Sequence, residues 1–227
     1  MQEELARLNS LLNATVPINA LPDELLVEIF SSYRARLKSS DERYPALEWM
    51  TILGVCRRWR KLASSTPAFW RLINVYRKPE WLSLCLSRSL RLRTDIYFRD
   101  PKFPSYRLPL LASRAAFIRT LSITMANPAW TRQLVNLFSM PMPSLETVDI
   151  RTDQDHRRED LDINADRCPR LQSLALLGYF VPRDKALFAR LRSLEIESCD
   201  WSTVTFDMLL EILGTCGCLE RLVLEDV

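Results

Sequence analysis

The chain of 227 residues carries 31 basic and 28 acidic side chains, a formal charge of +3, too even a balance for the clustered basic face that nucleic acid demands. Its apolar fraction of 48% is that of a globular protein. No apolar run approaches the roughly 18 residues of a membrane span, and the first 20 residues, with Glu3 and Glu4, lack the apolar core of a signal peptide.

These features exclude nucleic acid and membrane as expected partners and place the protein in the cytosol or nucleus. The four glycines leave almost no material for a Gly-rich phosphate loop. Cys56, Cys85, Cys168, Cys199, Cys216 and Cys218 form no C-x-x-C pair, and His156 is the sole histidine. A zinc site needs close ligand pairs, so neither metal nor cofactor is expected, and the thiols are read as free. Leucine is the outlier at 38 residues, about one in six. That bias points to helix packing or to a leucine-based repeat.

Residues 2–14 place Leu5, Leu8, Leu11 and Leu12 at helical spacing behind acidic residues, which predicts a short amphipathic helix stopped by Pro17. Over 20–34, Pro22 suits a first helical turn, and Asp23 and Glu24 suit its positive end. Leu25, Leu26, Ile29, Phe30 and Tyr33 follow on one stripe. Residues 35–45 are polar and end in Pro45, which predicts a loop. Residues 46–64 form a second stripe of Trp49, Ile52, Leu53, Cys56, Trp59 and Ala63, with Arg57, Arg58, Arg60 and Lys61 on a solvated face. Thr66 and Pro67 break it ahead of Phe69 and Trp70. Some 60 residues supply little core of their own. Leu25, Leu26, Ile29 and Trp59 are therefore not all expected to be buried, and some should face a partner.

The segments LPDELLVEIF at 21–30 and VCRRWRKLASSTPAFWRLI at 55–73 together resemble an F-box motif. The combination is most similar to the F-box-like proteins abundant in mushroom-forming fungi, which often carry a short helix ahead of the motif. The resemblance implies a substrate receptor of an SCF-type cullin–RING ubiquitin ligase, which docks on a Skp-type adaptor and is not itself an enzyme. It implies adaptor-facing roles for Leu21, Pro22, Leu25, Leu26, Ile29 and Phe30, and for Val55, Cys56, Trp59, Leu62, Phe69 and Trp70. The 24 residues between Phe30 and Val55 exceed the compact motif by about ten. A surface loop tolerates that growth, but it leaves the path between the two halves open.

From about residue 90 a Leu-x-x-Leu-x-Leu line recurs, beginning at Ile118, Leu145, Leu171, Leu191 and Leu219, with an earlier turn at Ile96 and Phe98. The starts are 27, 26, 20 and 28 residues apart, within the 20–29 of leucine-rich repeats. Each line predicts a short strand with alternate side chains turned inward, burying its apolar face only when stacked. Helices are expected over Trp130–Met140 and Thr205–Cys216. Cys168 and Cys216 stand three residues before a line, where Met142 and Phe188 stand in other repeats, and Cys199 stands eight after Leu191; the three cysteines are expected as small buried fillers. The run Asp153–Asp160, with His156, reads as a solvated loop rather than a catalytic cluster, since no nucleophile lies nearby.

The expected fold is an N-terminal all-α F-box module followed by an α/β leucine-rich-repeat solenoid. Its divisions are an amphipathic helix at 1–17, the F-box-like module at 18–75 and the receptor at 76–227. The strand residues flanking the inward pairs face the concave side. Among them Asp149, Arg151, Leu177, Glu195, Glu197, Arg221 and Glu225 are the candidate substrate contacts. Their acidity implies a basic substrate patch. The alternative is a repeat scaffold, or a degenerate F-box protein, with no ligase role.

Overall fold

The computed structural model describes residues 2–37, 48–75, 79–98, 105–124, 128–151, 161–178, 182, 184–197 and 206–225. A helical region comes first: α1 (Gln2–Thr15), a 3-10 turn at Pro17–Ala20, α2 (Asp23–Arg36), a 3-10 turn at Glu48–Thr51, α3 (Ile52–Val55), α4 (Arg57–Ser65) and a 3-10 turn at Pro67–Trp70. Among the described residues seven strands follow: β1 (Leu72–Val75), β2 (Thr94–Phe98), β3 (Ile118–Ile123), β4 (Thr147–Arg151), β5 (Ser173–Leu177), β6 (Ser193–Glu197) and β7 (Arg221–Glu225). All are parallel, and each pairs with its neighbour in sequence. The covering segments are α5 (Pro79–Arg88), 3-10 turns over Ser105–Phe117, α6 (Pro128–Phe138), α7 (Lys185–Phe188) and α8 (Phe206–Thr215).

The leucine lines become the sheet because alternation along a strand sends one set of side chains to each face. Leu121, Val148, Leu174 and Leu194 align across β3 to β6 as one buried row, and Ile123, Ile150, Leu176 and Ile196 form the next. The earlier turn at Ile96 and Phe98 is β2. One further strand precedes it. Leu72–Val75, expected to finish a helical segment, is β1, and it continues both rows with Ile73 and Val75. Its sequence L-I-N-V alternates and is β-branched, but it is too short to show a period. Gly178 leaves β5 at φ 75°, a conformation that only glycine adopts without strain.

The structure corrects several helical expectations. The single helix over 46–64 is broken at Cys56, whose extended backbone (φ −154°, ψ 170°) ends α3 and caps α4. The helix expected over 20–34 runs from Asp23 to Arg36, and Pro22 stands at its cap rather than inside the first turn. The helix α5 and the 3-10 turns over Ser105–Phe117 were not legible, since their leucines follow no single period. The remainder of the expected loop at 38–45, the His156 run and Cys199 lie outside the described residues. Met142, Cys168 and Phe188 are buried as fillers, while Cys216 is half-buried. Burial pushes the Cys85 thiol up to about 12 and the Cys168 thiol to about 11, as inert packing groups.

One apolar core runs from Leu26 and Phe30 through Trp49, Phe69 and Trp70 into the inner rows of the sheet. An aromatic chain carries it across: Trp49 stacks on Phe69 at 5.8 Å and meets Trp70 edge-on at 5.5 Å, and Trp70 lies 5.8 Å from Trp81 of α5. Trp81 then donates its indole N–H to the Asn74 carbonyl of β1 (2.9 Å).

Candidate docking and receptor surfaces

The stripe of α2 divides between two environments. Leu26 and Phe30 are fully buried, while Leu25 and Ile29 stay 46% and 40% exposed and Tyr33 is exposed. A helix with apolar side chains around more than one face must leave some of them uncovered when packed on one side only. Val55, at the end of α3, is 53% exposed. Between α2 and α3 lies a cleft of about 240 Å³. Ile29, Tyr33 and Val55 form its rim, and Phe30, Ile52 and Trp59 lie beneath, with Thr51 at one end. The Trp59 ring packs on Phe30 at 4.7 Å. The Tyr33 and Thr51 hydroxyls approach to 3.5 Å. The cleft is apolar and open at the surface, and among the described residues no charged group lines it.

The sequence grouped twelve residues as docking contacts, and the structure sorts them. Ile29, Val55 and Trp59 line the cleft, and Leu25 is exposed one helical turn before Ile29 on α2. Leu26, Phe30, Phe69 and Trp70 are inside the core, where Trp70 also donates its indole N–H to the Ala63 carbonyl (2.9 Å). Their burial follows from the shared core, which gives them more to pack against than 60 residues alone would. Leu21, Cys56 and Leu62 are half-buried and Pro22 is exposed.

The sequence also missed a positioning residue. Arg58 reads as part of a wet basic face, yet its guanidinium reaches back to the entry of α2. It donates to the Asn19 carbonyl, to the Leu21 carbonyl (2.7 Å) and to the Asp23 carboxylate (2.6 and 3.1 Å). Beside it Trp59 donates its indole N–H to the Asn19 side-chain oxygen (2.7 Å). Only Arg carries enough N–H groups in a planar fork to hold three acceptors at once. Arg60 donates to the Leu53 carbonyl (2.8 Å), bracing α4 against α3. The signal available was the proximity of Asn19 and Asp23 to a helix start, not the arginines themselves.

The other surface is the face of the sheet opposite its buried rows. Arg151 is its hub: Nε donates to Asp149 at 2.8 Å, Nη2 to Glu195 at 2.5 Å and Nη1 to Glu197 at 3.1 Å. Asp149, Ala175 and Glu195 share one register row, and Arg151, Leu177 and Glu197 the next. Arg151 therefore spans β5 to reach β6, about 10 Å away at two strand spacings. The short side chain of Ala175 leaves that path open. Arg221 approaches Glu195 at 3.4 Å from the other side. The acidic strands are thus an ion network rather than free carboxylates.

Burial opposes the charge on Glu195, but hydrogen bonds from Glu197 and Arg151 outweigh it and hold its pKa below the usual carboxylate range. Burial and the neighbouring Glu195 push Glu197 up. Nearer the helical region Arg119 grips Asp95 (Nε to Oδ1, 2.7 Å), and that bond raises the Arg119 pKa. Burial, with Asp95 adding to it, raises Tyr97 to about 12. Among the described residues no cluster of His, Cys, Asp and Glu could hold a metal ion.

Residues 18–75 match the family model described as F-box-like. The chain is similar to F-box/LRR-repeat protein 9 of Arabidopsis thaliana, with 28% identity over 138 residues, covering 54% of this chain and 54% of the relative. It thus spans about half the length of the curated relative that it matches. With the helices, the apolar cleft and seven in-order parallel strands, this identifies residues 18–75 as an F-box-like domain set ahead of a leucine-rich-repeat-like α/β solenoid.

Proposed function

We propose that the chain is a substrate receptor of an SCF-type cullin–RING ubiquitin ligase, working in the cytosol or nucleus. It binds a Skp-type adaptor through the F-box-like domain and a protein substrate through the concave face, with catalysis left to partner subunits. The observation that carries this reading is the apolar cleft between α2 and α3, rimmed by exposed Ile29, Tyr33 and Val55 within the F-box-like match. Covering a large apolar side chain contributes roughly 1.5–3 kcal/mol, so three or four anchors are enough to offset much of the cost of association. On the receptor side, Glu197 is engaged by Arg151, and Leu177 and the exposed Glu225 beside it offer apolar and acidic contacts that suit a basic segment.

The test is titration of a purified Skp-type adaptor by calorimetry. Wild type should bind at micromolar concentration or tighter, and Ile29→Glu and Val55→Glu should each weaken binding at least about tenfold, because a charge placed in the dry centre of an interface costs roughly 1.4 kcal/mol or more. Both positions are solvent-exposed, so melting temperature should hold. Leu25→Ala serves the same end, whereas Leu26→Ala opens the core and is unsuited to the purpose. Absence of wild-type binding would leave the reading of a repeat scaffold without a ligase role.

A further inference from the structure

A second cleft, of about 450 Å³, lies among the covering segments, between α5 and the 3-10 turns over Ser105–Phe117. It shares no residue with the cleft of α2 and α3. Leu86, Leu90 and Leu110 form its apolar part and Arg91 and Arg114 its cationic part, and among the described residues no acid lines it. Arg114 ties the two walls together, since its Nη2 donates to the Leu86 carbonyl (2.6 Å) and to the Leu90 carbonyl at the end of α5. Its Nε and Nη1 donate to nothing among the described residues, and the exposed Arg91 has no hydrogen bond or ion pair there. Ser87 and Ser113, also on the lining, donate to the Leu84 (2.8 Å) and Leu110 (3.0 Å) carbonyls, which leaves their oxygens able to accept. Leu90 is the unusual residue. It stands two places after α5 at φ 52°, in the left-handed region where helices commonly end on glycine. A leucine is strained there, and its side chain is 58% exposed. The strain gains no burial within the fold, and outliers of that kind cluster where ligands bind.

The charge around the cleft selects its occupant. Residues 71–119 carry eleven Arg and Lys against Glu80, Asp95 and Asp100, while the whole chain is only +3. Arg93 and Arg119 are paired with Glu146 and Asp95, and Arg88 lies over the Trp70 ring at 4.4 Å. Arg91 and Arg114 are the cations that reach the cleft. Guanidinium groups with donors to spare and no acid beside them suit carboxylates. The three leucines suit an aliphatic side chain, and the serine oxygens suit backbone N–H groups. An acidic peptide meets all three demands. Nucleic acid would need aromatic faces for its bases, and among the described residues no aromatic side chain lines the cleft. A flat lipid surface would not reach Leu86, which is 7% exposed.

We propose that the cleft between α5 and the following 3-10 turns is a second docking site, which takes an acidic peptide segment. One aliphatic side chain of that segment packs on Leu86, Leu90 and Leu110, and its carboxylates meet Arg91 and Arg114. The probe is a phage library of random dodecapeptides panned on the full chain, and each enriched peptide is then labelled with fluorescein and titrated by anisotropy. Enriched peptides should include a set that combines acids with an aliphatic residue. Arg91→Glu should weaken that set at least about tenfold, and raised salt should weaken it on the wild type, since surface charges are screened. Leu90→Gly should also weaken it while the melting temperature does not fall, because glycine takes φ 52° without strain. Circular dichroism checks the fold of both variants. Ile29→Glu, in the other cleft, should leave these peptides bound as before, so the result does not depend on adaptor docking. The proposal is overturned if no enriched peptide distinguishes Arg91→Glu and Leu90→Gly from wild type, or if those that do contain no acids. It is also overturned if single-stranded RNA or phosphatidylserine vesicles bind through Arg91 and no peptide does.

Discussion

Arg58 shows how much one side chain can carry at a junction. Its ion pair with Asp23 is half in solvent, with side chains 38% and 58% exposed, and such pairs contribute little alone. Its bonds to the Asn19 and Leu21 carbonyls matter more, because they fix the path into α2. Arg58→Ala should lower stability by about 2 kcal/mol, or about 6 °C in melting temperature. Arg58→Lys should recover little of it, since an ammonium cannot hold three acceptors in one plane. A melting curve unchanged in either variant would deny the clamp. The Glu195–Glu197 pair makes a different prediction, in pH. Glu195 is held below its ordinary value of 4.5, so its contribution is present above that pH and is lost as pH falls through the folded value. Glu197 is raised above 4.5, so it favours the fold at acid pH and loses that effect as pH rises through its folded value. Accordingly Glu195→Gln should destabilise at neutral pH, while Glu197→Gln should not. Glu197→Gln should also flatten the dependence of stability on pH just above 4.5. Urea denaturation across that range reads both effects. Charge reversal at Glu195 cannot serve as a pure binding probe, because it sets a positive group against Arg151.

At the scale of elements, the break between α3 and α4 is set by Cys56. Its Sγ accepts from the Trp59 amide at 3.5 Å, a weak version of the cap that Ser provides with oxygen. Cys56→Ser should therefore raise stability, by up to about 1 kcal/mol, and Cys56→Ala should lower it by a similar amount. Equal melting temperatures for the three would mean that the break is imposed by packing and not by the cap. The sequence hid this corner because Trp49, Ile52, Cys56, Trp59 and Ala63 keep helical spacing across it, and a one-residue kink leaves the period almost intact. The leucine lines were legible for the opposite reason. A strand pattern that repeats five times at 20–28 residues specifies a stacked sheet even where each copy alone is ambiguous. What no pattern could reveal was which of two adjacent leucines, Leu25 or Leu26, faces inward, since that depends on how α2 is rotated against Trp49 and Phe69. Nor could composition show that the acids of β6 were already claimed by Arg151, two strands and 44 residues away from Glu195.

At the scale of the whole molecule the two ends of the sheet are unlike. β1 lies against the aromatic chain of Trp49, Phe69, Trp70 and Trp81, in a core continuous with α2. β7 has β6 on one side and an inner residue half in water. Every strand pairs only with its neighbours in the chain, so stability is close to a sum over adjacent interfaces. Opening an inner strand breaks two of them, and opening β7 breaks one. This asymmetry gives the molecule a direction of fraying. Amide protons on β7 should exchange with deuterium soonest, followed by those of β6, with β2 to β4 slowest and β1 kept slow by the helices beside it. Because nearly all strand contacts are between successive repeats, assembly should run the same course in reverse, from the aromatic end outward, with no long-range pairing to wait for. Pulse-labelled exchange during refolding would display that order, and protection arriving on β7 before β2 would contradict it.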